Sequence, residues 1–208
     1  MTAPAAQRSP WLNVPNVMTL ARIVLTPFFG YFWWRRQFSY ALAVFVIASV
    51  SDVLDGLIAG LLDQRTQLGA VLDPIADKVM VVVAIIAAAA TGTVPLWLAV
   101  LVLTRDAILA ISGALFGWVF RGVHGPAGWA PTRVGKYATF FTLGAVGIGL
   151  VWELTGYAPL RGFIGALCIL SAITTVVSGA QYVLNGTRAV LAVMRSAKLN
   201  REAEHERA

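Results

Sequence analysis

Six stretches of this chain are almost continuously apolar, at about 17–34, 39–62, 69–91, 94–119, 134–153 and 160–186. Each is near the ~20 helical residues that cross the hydrocarbon core of a bilayer. In lipid the backbone must satisfy its own hydrogen bonds, which helices do segment by segment. The pattern predicts an all-α integral membrane bundle of six transmembrane helices. The connection between the second and third spans is short, which makes those two helices antiparallel neighbours. Residues 187–208 turn polar and charged and predict a tail, helical on the membrane surface or in water. The longest irregular stretch, 121–133, reads RGVHGPAGWAPTR and is rich in the Gly and Pro that interrupt helices.

Composition sharpens this picture. Of 208 residues, 58% are hydrophobic and 12% charged, with mean hydropathy +0.75, whereas a soluble domain carries roughly 25% charged residues. The expected organisation is one membrane domain over 1–186 and a cytoplasmic tail over 187–208, with no room for a separate soluble domain. The net charge of +6 is carried mostly by loops and tail. That placement argues against a nucleic-acid partner and for contact with anionic lipid headgroups. With six spans both termini share a side. Eleven Lys and Arg residues fall on that side, against Arg35, Arg36 and Arg161 on the other. The asymmetry predicts cytoplasmic termini. Cys168 is the single cysteine and lies in an apolar run, so it reads as a small core residue and no disulfide forms within the chain. The first sixteen residues lack the apolar core of a cleavable signal peptide.

Against this background four acids stand out: Asp52, Asp55, Asp73 and Asp77. A carboxylate at membrane depth costs about 2.5–3.5 kcal/mol on insertion scales. Spacings of three and four place each pair on one helical face, and the short connection lets the two faces meet. Topology puts them at the cytoplasmic edge, where the cost is lower. Basic side chains near them in sequence are few, which makes divalent metal the natural counter-charge. Hard ions such as Mg2+ take oxygen ligands and keep positions open for phosphate, and two of them can clamp a displacement at phosphorus. Gly56, Gly60 and Gly69 would let a helix or a bulky phosphate approach the backbone. A structural salt-bridge cluster and an ion pathway are the competing readings of the same acids.

The run Asp52-x2-Asp55-Gly56-x2-Ala59-x9-Gly69-x3-Asp73-x3-Asp77 resembles the signature D-x2-D-G-x2-A-R-x8-G-x3-D-x3-D of the CDP-alcohol phosphatidyltransferases, matching seven of its eight positions. Pro15-Asn16 with Thr19 and Arg22, Arg105, and Gly135-Lys136 extend the likeness over about 13–186. The resemblance implies a six-helix membrane bundle, often dimeric, that attacks a CDP-linked lipid with an alcohol and releases CMP. It implies two Mg2+ or Mn2+ ions held by Asp52, Asp55, Asp73 and Asp77, with Asp77 also the general base. Gly56, Ala59, Gly69, Asn16, Thr19 and Arg22 would then lie along the CDP-diacylglycerol site, Arg22 reaching the diphosphate. The expected location is a bacterial inner membrane with the site facing the cytoplasm. Gly60 departs from the pattern, which has Arg there, and Arg65 in the following loop is the available substitute.

Arg105 lies mid-run, where an arginine needs a partner. It reads either as a salt bridge with Asp106 or, with Arg133 and Lys136, as an anion-binding group suited to phosphate; the family resemblance implies that these positions hold the phosphate of the acceptor. That points to glycerol 3-phosphate as acceptor, giving phosphatidylglycerophosphate. The alternative is phosphatidylglycerol, giving cardiolipin, and the segment QRTQLGAVLDPIADK resembles cardiolipin synthases of the eukaryotic type. His124 reads as a loop residue. Two other classes compete: an ion-coupled transporter, and a catalytically silent lipid-binding relative motivated by Gly60.

Overall fold

The computed structural model describes the backbone of residues 14–62, 67–119 and 133–205, and side chains over 17–52, 72–73, 75–113 and 134–188. Six α-helices follow in order: α1 Val14–Trp34, α2 Phe38–Leu62, α3 Gln67–Ala90, α4 Leu96–Val119, α5 Arg133–Thr155 and α6 Pro159–His205. No strand occurs among the described residues. Among the described residues, four helical stretches are long and apolar enough to cross a bilayer: Val17–Trp34, Leu96–Gly113, Val134–Thr155 and Pro159–Arg188. This is an all-helical membrane protein. In α2 the apolar stretch within the described side chains is Phe38–Asp52. Helix α6 runs past the apolar span without a break, so most of the polar tail continues the last helix.

Two helix ends show how local chemistry sets the boundaries. At the end of α1 the Arg36 N–H donates to the Trp33 carbonyl (2.9 Å) and the Gln37 N–H to Phe32 (2.9 Å), with Arg36 left-handed at φ 55°. At the end of α3 the Gly92 N–H donates to Ala89 (3.1 Å) and the Thr93 N–H to Ala88 (3.0 Å), with Gly92 at φ 77°. Both are Schellman caps, which satisfy carbonyls that the last turn leaves without partners. Glycine takes the left-handed position without steric cost in the second; the first spends an arginine on it.

The chain forms two compact units, Met1–Ala99 with Thr142–Leu167, and Val100–Phe141 with Cys168–Ala208. In the first unit α1 packs against both α2 and α3. Its buried stripe is Thr19, Arg22, Thr26, Phe29 and Trp33, spaced alternately by three and four as one helical face requires. Contacts from this stripe and from Gly30 run to α3 at a nearly constant sequence offset: Thr19 to Asp73, Arg22 to Asp77, Thr26 to Met80, Gly30 to Val83. Helices α1 and α3 are therefore parallel and in register. The face of α3 that is buried carries Ala76, Met80, Ala84 and Ala88. Small residues at four-residue spacing let two helix backbones come close where no water-driven force presses them together. Gly30 is part of that approach, since a Cβ there would lie 2.9 Å from Val83 Cγ1.

The opposite end of the same unit holds a second polar group. Trp33 Nε1 donates to Thr91 Oγ1 (2.9 Å), which lies 2.9 Å from Thr93 Oγ1, and Thr93 donates to Glu153 Oε1 (2.6 Å). Thr93 gives its only hydroxyl proton to the carboxylate, so a bond between the two threonines is donated by Thr91, whose hydroxyl also lies 3.2 Å from the Ala87 and Ala88 carbonyls. The chain of bonds thus runs one way, from indole to acid.

Candidate active site

The stripe of α1 is polar toward its start and aromatic toward its end. Its polar part meets the acids. Arg22 Nη2 lies 2.7 Å from Asp52 Oδ1 on α2, and Nη1 lies 2.6 Å from Asp77 Oδ1 on α3. Thr19 Oγ1 donates to Asp73 Oδ1 at 2.5 Å. Thr26 Oγ1 donates back to the Arg22 carbonyl at 2.8 Å, holding its own hydroxyl within the helix. One guanidinium therefore ties two helices to a third. Burial divides sharply across these bonds: Arg22 is 3% exposed, whereas the Asp52 and Asp77 side chains are each 54% exposed. A buried arginine of this kind is tolerated because its planar fork satisfies two carboxylates at once.

The expectation that basic side chains near the acids are few holds along the sequence and fails in space. Arg22 is 30 residues before Asp52 in sequence, yet it is the counter-charge of both Asp52 and Asp77. Asp52, Asp73 and Asp77 present hard oxygen donors, the type that Mg2+ and Mn2+ prefer, and the guanidinium stands between two of them as a cation would. The donor chemistry fits divalent metal. Among the described residues no three His, Cys, Asp or Glu side chains close into a metal cage. The side chain of Asp55, the fourth acid, lies outside the described residues, as do the side-chain surroundings of Asn16, Gly56, Ala59, Gly60, Gly69 and Arg133. Arg65 and His124 lie outside them altogether.

The remaining predicted residues belong to the second unit. Arg105, with 11% of its side chain exposed, places Nη1 2.6 Å from Asp106 Oδ1 and Nη2 2.5 Å from Ser178 Oγ. Its guanidinium lies 5.9 Å from the centroid of the Tyr182 ring. The salt bridge with Asp106 is thus present. Beside it, α4 and α6 line an open, largely apolar groove of about 940 Å3 whose lining includes Arg105, Thr104, Ile108, Thr175, Val176 and Tyr182. Lys136 stands exposed on the first turn of α5. Sequence reading passed over Ser178 and Tyr182, although both follow from Arg105's need for partners inside an apolar span.

With this geometry in hand, the comparisons decide the family. The sequence profile described as CDP-alcohol phosphatidyltransferase matches residues 12–184. The chain belongs to the CDP-alcohol phosphatidyltransferase family. The resemblance first seen in the aspartate run is borne out over most of the chain. A Mycobacterium tuberculosis protein named probable phosphatidylglycerophosphate synthase is 33% identical over 204 residues, covering 94% of this chain and 92% of that protein. The human cardiolipin synthase (CMP-forming) is 30% identical over 203 residues, covering 91% of this chain and 66% of the human protein. A Drosophila melanogaster protein named probable cardiolipin synthase (CMP-forming) is 29% identical over 194 residues, covering 86% of this chain and 59% of its own. Against the two animal proteins, then, this phosphatidyltransferase spans about two thirds of the length or less. Family membership fixes the kind of enzyme and leaves the acceptor alcohol to be argued.

Proposed function

We propose that this enzyme transfers the phosphatidyl group of CDP-diacylglycerol to glycerol 3-phosphate, releasing CMP, as a step of phospholipid biosynthesis. The observation that carries the chemistry is the gathering of Asp52, Asp73 and Asp77 around Thr19 and Arg22 at one end of the first unit. The near end-to-end likeness to the mycobacterial phosphatidylglycerophosphate synthase supports the acceptor.

In this reading Asp52, Asp55, Asp73 and Asp77 would hold two Mg2+ or Mn2+ ions. When bound, such ions would neutralise the diphosphate and make an acceptor hydroxyl easier to deprotonate. Asp77 takes the hydroxyl proton as the acceptor oxygen bonds to the phosphorus that carries diacylglycerol. The bond from that phosphorus to the CMP oxygen breaks, and CMP leaves with the electron pair. Gly56, Ala59 and Gly69 keep the approach to the nucleotide free of bulk, and Asn16, Thr19 and Arg22 supply donors to it. Arg105, Arg133 and Lys136 receive the acceptor's phosphate, for which arginine's fork is suited. The protein works as a six-span bundle and a homodimer in a bacterial inner membrane, both termini and the site facing the cytoplasm, where a water-soluble acceptor and CMP can exchange. The distribution of Lys and Arg supports that orientation.

A second reading has phosphatidylglycerol as the acceptor and cardiolipin as the product. The likeness to the human and Drosophila synthases favours it. One experiment separates the two. Purified protein is given CDP-diacylglycerol, Mg2+ or Mn2+, and either glycerol 3-phosphate or phosphatidylglycerol, and the lipid products are resolved by headgroup. Phosphatidylglycerophosphate with stoichiometric CMP is the expected result. Cardiolipin alone would transfer the assignment to the second reading, and no CMP with any acceptor from folded protein would remove both.

A further inference from the structure

We propose that Arg22 is a resident counter-cation of the aspartate site, which a divalent ion must displace in order to bind. This rests on the reading of the aspartates as a metal site and adds a step that the reading does not contain.

Asp52 and Asp77 come from different helices, and without a cation between them they would repel each other at the edge of an apolar bundle. Arginine stays protonated under any ordinary condition, so its guanidinium is a permanent positive charge delivered from α1. Both of its terminal nitrogens are committed, one to Asp52 Oδ1 and one to Asp77 Oδ1. The head is buried while the carboxylates are half exposed. Arg22 therefore occupies, from the helix side, one oxygen of each half-exposed acid, and we take these same two oxygens to be the ones a bridging ion would use. An ion on these two oxygens and a guanidinium on the same two oxygens exclude each other, by charge and by space. Binding of the ion and release of Arg22 are thus one event. The released fork is bidentate and cationic, the geometry that receives a diphosphate.

Thr19 differs in this respect. Its bond to Asp73 is between a hydroxyl and a carboxylate and carries no charge to compete with an ion.

The test measures Mn2+ alone, by titration calorimetry and by the shift in unfolding temperature, on the full chain in detergent. Arg22→Met removes two charge-assisted bonds that the ion otherwise has to break, so Mn2+ should bind about tenfold tighter or more than to wild type. By linkage, saturating Mn2+ should also raise the unfolding temperature of the variant more than that of wild type. Equal or weaker Mn2+ binding by a folded R22M protein overturns the proposal and leaves the metal site standing. No Mn2+ binding by wild type or variant overturns both. Should R22M fail to fold, wild type decides alone: labelling of Arg22 by phenylglyoxal, read by peptide mass, should rise when Mn2+ is added. Unchanged labelling at saturating Mn2+ overturns the displacement.

Discussion

Two polar clusters share the first unit, one at each end of α1, and they solve the same problem differently. The cluster of Thr19, Arg22, Asp52, Asp73 and Asp77 is built from full charges, with acids half open to the outside. The cluster of Trp33, Thr91, Thr93 and Glu153 carries one acid, and neutral donors lead to it in a single direction. Both put hydrogen-bonding groups where apolar contact would be the cheaper filling. In the second every proton has a destination within the protein, which is how a buried polar network becomes rigid. The first has donors of two kinds, one of them a whole positive charge, and its acceptors remain accessible. The difference separates a polar cluster that fastens helices together from one that can exchange partners.

That contrast can be broken by experiment, beginning with the largest effect. Chelation by EDTA should abolish CMP release and added Mg2+ or Mn2+ should restore it, in wild type and in Thr93→Val alike; activity that survives chelation would remove the metal from the first cluster. Asp77→Asn should lower turnover by about 10²–10⁴-fold, the range for losing a positioned general base. Near-wild-type CMP release from folded D77N protein would end that assignment. At the other end the cost should appear in stability. A Cβ at Gly149 would lie 2.6 Å from Thr93 Cγ2, so Gly149→Ala should destabilise by about 1–3 kcal/mol through overpacking, with turnover per folded molecule retained. The smallest effect is expected from Glu153→Gln, which keeps an acceptor for Thr93 and loses its charge, at about 1 kcal/mol. Thermal unfolding in detergent reads both. A loss of turnover without loss of stability in either variant would mean that the far cluster is coupled to the chemistry.

Much of this was legible in the chain before folding. The apolar runs mark the helices closely, ending within two residues of α1 through α5 as observed, because a lipid-facing helix must be apolar along its whole length. The aspartate motif was legible as well, since its members are close together in sequence and their types are restrictive. Arg105 and Asp106 paired as adjacent residues can. What escaped was every contact between distant segments. Arg22 was expected at the diphosphate through the family resemblance, and nothing adjacent to it in sequence names Asp52 and Asp77 as its partners. The far cluster was missed for the same reason: Trp33, the Thr91–Thr93 pair and Glu153 lie on three separate stretches, and each by itself is an ordinary residue at a helix end.

One signal for Arg22 was nonetheless present. Thr19, Arg22, Thr26, Phe29 and Trp33 alternate by three and four, which places the arginine on the same face as the two aromatics. A face that buries Phe29 and Trp33 buries Arg22 with them, and a buried guanidinium requires acids. Periodicity could thus have said that Arg22 points inward, though not toward which carboxylates.

The sequence by itself determined the helices, their membrane character, the acids and the family, because these depend on residue type and on local spacing. Tertiary structure decided the pairing. It set α1 parallel to α3 at a constant offset, and that register brings Arg22 between Asp52 and Asp77 while it brings Trp33 to Thr91. Register is a property of two helices packed side by side, fixed by the fit of Gly30 and the small residues of α3. No single segment carries it.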